Sequence, residues 1–217
     1  GGRLDCTASG LAGAEIVLSI PSVGATENAM LAAIGAKGVT TVSNAAREPE
    51  IVDLQAFLQK LGASVHGAGT STVVIEGAEE PLHGCCHRIL GDRIAAATYL
   101  AAAAASGGDI FLRDIDYRHL STVTGVLRQA GCGLVCRDDG IRLTSDGHLR
   151  AVSPIRTAPY PGFPTDAQAV LMASLLRSSG TTVFVENIFE SRYRHVPELV
   201  RMGADIRLEG RVAVVCG

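Results

Sequence analysis

The sequence predicts a mixed α/β fold built from three copies of one βαβαββ unit, with the first helix of each copy buried. The copies begin near residues 26, 92 and 166, about 70 residues apart, which is too long for a solenoid repeat and suits a complete supersecondary unit. Two sets of glycines recur at equivalent places: Gly38, Gly108 and Gly180, and Gly62, Gly131 and Gly203. Helices inside and strands outside would invert the usual α/β barrel and give an αβ prism.

Each copy opens with a polar residue at or near the N-cap of an apolar helix, namely Thr26, Asp92 or Asp166. The first of the recurring glycines is expected to stop that helix at its C′ position. A β-branched strand follows in each copy: VTTVSN, DIFLRD and TTVFVEN. One further strand, AEIVLSI, precedes the first copy.

The second helix of each copy is amphipathic, and two short strands follow it. In the first copy this helix is predicted to begin at Pro49, a favourable N1 residue, and to end at Gly62. The first helices contain AMLAAIGA, IAAATYLAAAAA and AVLMASLL, which are apolar nearly all round. That pattern predicts burial on all sides, with the amphipathic helices covering the outside.

Composition excludes several classes of function. The net charge of −3 argues against a nucleic-acid binder with a broad basic face, and aromatic residues at 4% without Trp argue against base stacking. No apolar run reaches the ~20 residues that span a bilayer, so we expect no membrane contact. No signal peptide is visible, and the chain starts as if cut from a longer one.

The six cysteines do not follow the spacing of a metal site. We expect them to be reduced thiols in a cytoplasmic protein, and we expect no metal and no cofactor. The six histidines likewise lack metal spacing and are expected to be solvated or to cap helices.

Four long motifs carry a resemblance to a known family. PSVGATENAM, NAAREPEIVDL, PYPGFPTDAQA and FESRYRHVPELVRMGA resemble the UDP-N-acetylglucosamine 1-carboxyvinyltransferases, a family of enolpyruvyl transferases. The resemblance runs along nearly all of the chain. It implies six repeat units in two domains, of which this chain holds three: residues 1–90 as the last unit of one domain, and residues 91–217 as two units of the other.

The resemblance implies a reaction as well. Enolpyruvyl would move from phosphoenolpyruvate to the 3-hydroxyl of UDP-N-acetylglucosamine, with release of phosphate, in the first committed step of peptidoglycan synthesis. The family needs no metal and works by addition and then elimination. Addition requires a proton for the vinyl carbon and a base near the sugar hydroxyl.

Asp166 stands where the run PGFPTD meets a helix. From the residues alone, an aspartate at this boundary is a helix cap that gains from the helix dipole. By resemblance, Asp166 falls on the active-site aspartate that contacts the sugar 3-hydroxyl and is proposed as its base. Both roles are compatible, and the prolines then form a rigid approach.

The segment Ile20, Pro21, Ser22, Val23 and Gly24 precedes a helix, where free N–H groups can bind an anion. By itself this is an ordinary Ser/Thr cap. By resemblance it is the nucleotide-sugar loop that touches the diphosphate, although Ile20 stands where some members carry a basic residue.

Arg192 and Ile188 follow the third β-branched strand. An arginine here is either a solvated surface residue or a partner for phosphate or carboxylate. By resemblance, Arg192 lies in the active site and Ile188 makes a backbone contact to the nucleotide sugar. Ser191 replaces the asparagine that is usual in the family.

Asp92 and Arg93 match the family's Asp-Arg at the crossing between domains. Ala95 and Ala97 replace a glutamate and a glycine that commonly follow. These departures leave open a divergent or non-catalytic paralogue that binds a nucleotide sugar. A shikimate-type enolpyruvyl transferase is the other alternative.

Essential parts of the family lie in its first units and have no matching motif here. They are a Lys-Asn pair, a loop cysteine that donates the proton, and further arginines. We therefore expect the isolated chain to be inactive because it lacks the other half of the enzyme. Helix surface bared by that missing half predicts a dimer or a domain-swapped assembly.

Overall fold

The computed structural model describes residues 2, 3 and 5–217. Within it the chain divides into two compact units, Gly1–Ile89 and Leu90–Gly217. Each unit has its own buried core, which contains Met30, Ile51 and Ile75 in the first and Leu100, Leu143 and Phe184 in the second. No described helix is long and apolar enough to cross a membrane.

The first unit is one βαβαββ repeat. Its elements in chain order are β1 (Glu15–Val17), α1 (Val23–Ile34), β2 (Val39–Ser43), α2 (Pro49–Lys60), β3 (Ser64–His66) and β4 (Thr72–Glu76). The sheet order is β1-β2-β4-β3, in which β1 runs parallel to β2 and the other pairs are antiparallel. The prediction of α2 is confirmed at its start, where Pro49 is the first helical residue.

The second unit begins with the next repeat. Its elements are α3 (Arg93–Ser106), β5 (Gly108–Arg113), a 3-10 turn (Tyr117–Leu120), α4 (Ser121–Gln129), β6 (Gly133–Arg137) and β7 (Gly140–Ser145). The three strands form an antiparallel sheet with the order β5-β7-β6.

The last repeat completes the second unit. Its elements are β8 (Leu149–Arg150), β9 (Ile155–Arg156), α5 (Thr165–Leu175), β10 (Ser178–Ser179), β11 (Thr181–Val185), α6 (Val196–Arg201), β12 (Asp205–Glu209) and β13 (Val212–Cys216). A four-stranded sheet has the order β12-β13-β11-β9, and β8 pairs with β10 beside it.

The three repeats share one topology, which confirms the predicted fold class. In each, the strand after the first helix pairs with the last strand of the repeat, and the last strand pairs with the one before it. In the first and third repeats an earlier strand, β1 or β9, runs parallel on the outer side. Helix α3 packs against α5, so the first helices of two repeats share one core.

The recurring glycines divide into two structural roles. Gly62, Gly131 and Gly203 follow the second helices with φ of +100°, +107° and +99°, the left-handed conformation that stops a helix. The other set was predicted to do the same for the first helices, and that is wrong. Those helices end at Ile34, Ser106 and Leu175, so one to four residues lie between each helix end and its glycine, which is at or beside the start of the next strand.

Burial of the first helices on all sides is also corrected by the structure. Helix α5 is largely buried, but α1 leaves Leu31 53% exposed and α3 leaves Tyr99 64% exposed. The exposed positions of α3 are Ala95, Thr98, Tyr99, Ala102 and Ser106, which recur at spacings of three and four residues and form one face. The apolar sequence of these helices therefore does not correspond to complete burial within the described chain.

Candidate active site

Asp166 lies in the first turn of α5 and is not its cap. The helix begins at Thr165, the N-cap residue is Pro164, and no side chain caps the helix. The predicted capping role is therefore wrong, because the proline takes the cap position and leaves Asp166 as the second helical residue. A carboxylate there still gains from the helix dipole. Its side chain is 56% exposed, so it is available to a ligand.

The lead-in to α5 is a closed, packed turn. The N–H of Gly162 donates to the carbonyl of Pro159 over 2.8 Å, and the N–H of Ala158 donates to the carbonyl of Phe163 over 3.0 Å. The Phe163 side chain is buried. These contacts hold the chain immediately before Thr165 and Asp166 in a packed turn.

Arg192 is the partner of Asp166. Its Nη2 donates to Oδ1 of Asp166, and its guanidinium carbon lies 5.3 Å from the centroid of the Phe189 ring. No described residue donates a hydrogen bond to Oδ2 of Asp166, so this oxygen can accept one from a ligand. The structure thus brings together Asp166 and Arg192, which are 26 residues apart in sequence.

Glu186 is a site residue that the sequence reasoning missed. It lies just beyond β11, is 1% exposed, and accepts four hydrogen bonds. Oε1 accepts from Oγ1 of Thr157 over 2.9 Å and from the N–H groups of Ile188 and Phe189 over 2.8 and 3.0 Å. Oε2 accepts from Oγ1 of Thr165 over 2.9 Å. Only the acidic residue in the run VEN signals this in the sequence.

This network limits what Ile188 can offer. Because its N–H already donates to Glu186, the backbone group of Ile188 left to a ligand is the carbonyl oxygen. A contact to a nucleotide sugar at this position would therefore be donated by the ligand, from a hydroxyl or an amide N–H.

A basic pocket of about 860 Å³ opens beside these residues. Ile188 and Arg192 line it, together with Arg194, His195 and Arg211. Arg211 lies 3.8 Å from the Glu190 carboxylate and donates to the carbonyl of Asn187 over 3.3 Å. Three guanidinium groups at one opening favour an anionic ligand.

His195 is partly withdrawn from water beside this pocket. Burial lowers its pKa below the usual value, a backbone hydrogen bond at Arg192 opposes that, and the positive charge of Arg192 lowers it further. Its Nε2 is buried and has no hydrogen-bond partner among the described residues. The earlier expectation that every histidine is solvated or capping is thus wrong here. It is also wrong for His87, whose Nε2 lies 3.0 Å from Oδ1 of Asp53 with 8% of the side chain exposed.

The lowered pKa of His195 predicts a pH dependence of stability. The unfolded chain binds a proton near pH 6.5, whereas the folded chain binds it only at lower pH, so the contribution is present above that value and is lost as pH falls. His195→Gln should therefore lose less stability than the wild type between pH 7.5 and pH 5.5. Urea unfolding at both pH values measures this, and equal losses in the two proteins would contradict it.

The predicted nucleotide-sugar loop lies in the first unit. Ser22 is the N-cap of α1, where its Oγ accepts from the N–H of Ala25 over 3.3 Å, and Val23 is the first helical residue. Ile20 is 59% exposed, Gly24 is exposed, and Pro21 is partly exposed. The segment is therefore open at the start of a helix, as an anion contact requires.

Thr26 supports this loop instead of capping the helix, which corrects its predicted role. The residue is fully buried, and its Oγ1 donates to the carbonyl of Ser22 over 2.8 Å. The same oxygen accepts from the N–H of Ala46 over 3.0 Å. Thr26 thereby fixes the Ser22 turn against the segment that follows β2.

Asp92 and Arg93 begin the second unit. Asp92 is the N-cap of α3, and its Oδ1 accepts from the N–H groups of Ile94 and Ala95 over 2.7 and 3.0 Å. The buried Arg93 places its guanidinium carbon 5.7 Å from the centroid of the Tyr160 ring. The start of α3 is thus linked to the proline-rich lead-in of Asp166.

Metal ligands do not cluster in the part of the chain that the structure describes. No group of three or more His, Cys, Asp or Glu residues there could hold an ion. The six cysteines, all within the described residues, are free thiols.

Comparison with known proteins identifies the family. A family model described as EPSP synthase (3-phosphoshikimate 1-carboxyvinyltransferase) matches residues 3–215, so the chain belongs to that family. A solved structure of the enolpyruvyl transferase NikO from Streptomyces tendae matches 99% of this chain and 55% of that one, with a TM-score of 0.85 and 25% identity. EPSP synthase from Acinetobacter baumannii matches with a TM-score of 0.66 at 21% identity, which supports the fold alone.

Curated relatives show which activity within the family this chain is most similar to. UDP-N-acetylglucosamine 1-carboxyvinyltransferase from Zymomonas mobilis is 50% identical over 208 residues, covering 96% of this chain and 48% of the relative. UDP-N-acetylglucosamine 1-carboxyvinyltransferase 1 from Caldanaerobacter subterraneus is 47% identical over 216 residues, covering 100% of this chain and 52% of the relative. These names confirm the resemblance drawn from the motifs. The chain spans about half the length of the curated relatives it matches.

Proposed function

We propose that this chain forms part of an enzyme that transfers enolpyruvyl from phosphoenolpyruvate to the 3-hydroxyl of UDP-N-acetylglucosamine, the first committed step of peptidoglycan synthesis. The observation that carries the proposal is the carboxylate of Asp166, held at the start of α5 by Arg192 with one oxygen free. Curated relatives at 47% and 50% identity, named for this activity, support the choice of reaction.

The residues of the chain divide the work as follows. Asp166 takes the proton from the 3-hydroxyl while that oxygen bonds to the central carbon of phosphoenolpyruvate. A proton reaches the vinyl CH₂ from a donor outside this chain, which gives a tetrahedral ketal. Loss of a proton from the resulting methyl group and departure of phosphate then restore the double bond.

The substrates are proposed to bind to backbone groups and to arginine side chains. The N-terminus of α1 at Ser22, Val23 and Gly24 is proposed to receive the diphosphate, with Ile20 and Pro21 beside the nucleotide. The carbonyl of Ile188 would accept from the sugar. Arg192 would hold the carboxylate of Asp166 in place and add positive charge, which favours the anionic substrates.

Transfer requires groups on both sides of a substrate, so we propose that the chain alone does not turn over. The test measures phosphate release from both substrates. It compares this chain with a fusion to the part of the Zymomonas mobilis relative that the chain does not match. The fusion should be active and the chain alone should not be. Turnover by the chain alone would overturn its proposed inactivity, and a fusion that uses shikimate 3-phosphate instead would overturn the proposed acceptor.

The shikimate-type alternative draws on the description of the matched family model. The 50% identity to a UDP-N-acetylglucosamine enzyme favours the nucleotide sugar. The non-catalytic alternative draws on Ala95, Ala97 and Ser191. Ala97 is fully buried in the core, and Ala95 lies on the exposed face of α3. Activity of the fusion would exclude this alternative.

Assembly and compartment follow from the same proposal. The exposed Leu31 on α1 and Tyr99 on α3 support a dimer or a domain-swapped assembly of the isolated chain. Analytical ultracentrifugation should show a dimer, and Tyr99→Lys should weaken it. A monomer at every concentration would contradict this. Because both substrates are water-soluble phosphorylated metabolites, we propose the cytoplasm as the compartment.

A further inference from the structure

We propose that Glu186 is a positioning residue that sets the geometry of Asp166 and of the loop carrying Ile188 and Arg192. This rests on the proposed function, since the groups it positions are those assigned to the substrate. One carboxylate joins three separate stretches of chain: Thr157, the start of α5 at Thr165, and the backbone of residues 188 and 189.

Burying a carboxylate is costly unless hydrogen bonds replace its hydration. Glu186 is 1% exposed and accepts two hydroxyl and two backbone hydrogen bonds at 2.8 to 3.0 Å. An apolar residue of similar volume would leave the N–H groups of Ile188 and Phe189 unpaired. An apolar residue could therefore replace Glu186 without loss of stability only if those two N–H groups found other acceptors.

The connection to Asp166 runs through its neighbour. Thr165 is the first residue of α5, and its hydroxyl donates to Oε2 of Glu186. Fixing Thr165 fixes the rotation and height of the first turn, and therefore the direction of the Asp166 carboxylate one residue later. Because α5 has no side-chain cap, this bond adds a side-chain anchor at its first residue, beside the backbone contacts of the preceding turn.

The connection to Arg192 runs through the loop. Glu186 holds the N–H groups of Ile188 and Phe189, and the Phe189 ring lies against the Arg192 guanidinium. Asn187 ties the same loop to Thr157, donating its N–H to Oγ1 over 2.8 Å and its side-chain amide to the carbonyl over 3.1 Å. Asp166 and Arg192 therefore lie on two segments that Glu186 links by hydrogen bonds.

The test compares Glu186→Ala with Glu186→Gln. Gln keeps an oxygen for the two N–H groups, and its NH₂ can donate to Thr165, whose hydroxyl can turn to accept. A displacement of about 1 Å costs on the order of 10²-fold in rate, so Glu186→Ala should lower kcat of the fusion about 10²-fold. Glu186→Gln should recover most of that loss. Thr165→Val, which removes one bond and preserves shape, should fall between them.

Thr182→Val is the matched control for stability. Thr182 lies on β11, the strand that precedes Glu186, is fully buried, and accepts from the N–H of Val152 over 3.1 Å, away from the loop. It should lower the unfolding midpoint and leave kcat unchanged. If Glu186→Ala lost no more kcat than this control at an equal loss of stability, the positioning role would be overturned.

Hydrogen exchange on the 217-residue chain gives a readout that needs no substrate. The amides of Ile188 and Phe189 should exchange about tenfold faster in Glu186→Ala, as expected for the loss of a hydrogen bond, and at the wild-type rate in Thr182→Val. Unchanged exchange in Glu186→Ala would also overturn the proposal. An inactive wild-type fusion with exchange as expected would instead count against the proposed function.

Discussion

Asp166→Asn is expected to lower the turnover of the fused enzyme by about 10²–10⁴-fold, the range for loss of a general base. Asn preserves the size of the side chain, and its oxygen can still accept from Arg192, but it cannot take a proton from a sugar hydroxyl. Phosphate release at saturating concentrations of both substrates measures the effect. The loss should fall on kcat more than on KM, because the proton moves in the transition state.

The structure supplies a matched control for this substitution. Asp109 and Arg142 form another exposed pair in the same unit, with Nη2 2.5 Å from Oδ2, and lie on β5 and β7 away from Asp166. Asp109→Asn should leave turnover unchanged. Both variants should fold, since an exposed ion pair contributes about 0–1 kcal/mol and Asp166 caps nothing. If Asp166→Asn retained more than a tenth of wild-type turnover, Asp166 would be only a first-turn carboxylate.

The repeat could be predicted from the sequence because its signals are local. Left-handed glycines and β-branched runs recur in register in every copy, and their meaning does not depend on distant residues. A glycine that follows an amphipathic helix readily adopts the positive φ that ends the helix, and Gly62, Gly131 and Gly203 have that φ. Short connections then account for the pairing of the last two strands of each repeat.

The N-cap residues and the burial of the first helices could not be predicted correctly from the sequence. Thr26 and Asp166 are both good capping residues, but Ser22 and Pro164 take those positions because the helices start earlier than the apolar runs. Whether an apolar helix face is covered depends on the elements that pack against it. Tyr99 shows this, since it stands in an alanine-rich helix and is 64% exposed.

In the candidate site too, residue identity could be predicted from the sequence, whereas contacts between distant residues could not. The motifs identified Asp166 and Arg192 as candidate site residues. Their contact joins positions 26 residues apart and depends on how α5 packs against the loop after β11. Glu186 was missed because its partners at Thr157 and Thr165 are 29 and 21 residues away. A buried carboxylate is recognised by its donors, and these are assembled only by the fold.

Phe184→Ala is expected to lower the free energy of unfolding of the second unit by about 3–5 kcal/mol, the range for a fully buried aromatic residue. Phe184 is 0% exposed on β11, opposite Ala213 of β13 and Ile155 of β9, and it shares a core with Leu171 and Met172 of α5. Removing its ring leaves a cavity between a sheet and a helix that are each held by other contacts. Urea unfolding followed by hydrogen exchange at the amides of β11 measures the loss in this unit.

Phe111→Ala is the matched control, because Phe111 lies on β5 and is 41% exposed. This substitution should lower the free energy of unfolding by only about 1 kcal/mol or less, because less apolar surface returns to water. Equal losses would show that the core around Phe184 collapses into the cavity. Phe184 and Glu186 also point to the same side of the chain, two residues apart. Phe184→Ala should therefore reduce the folded fraction and preserve kcat per folded molecule, whereas Glu186→Ala should reduce kcat even when folding is complete.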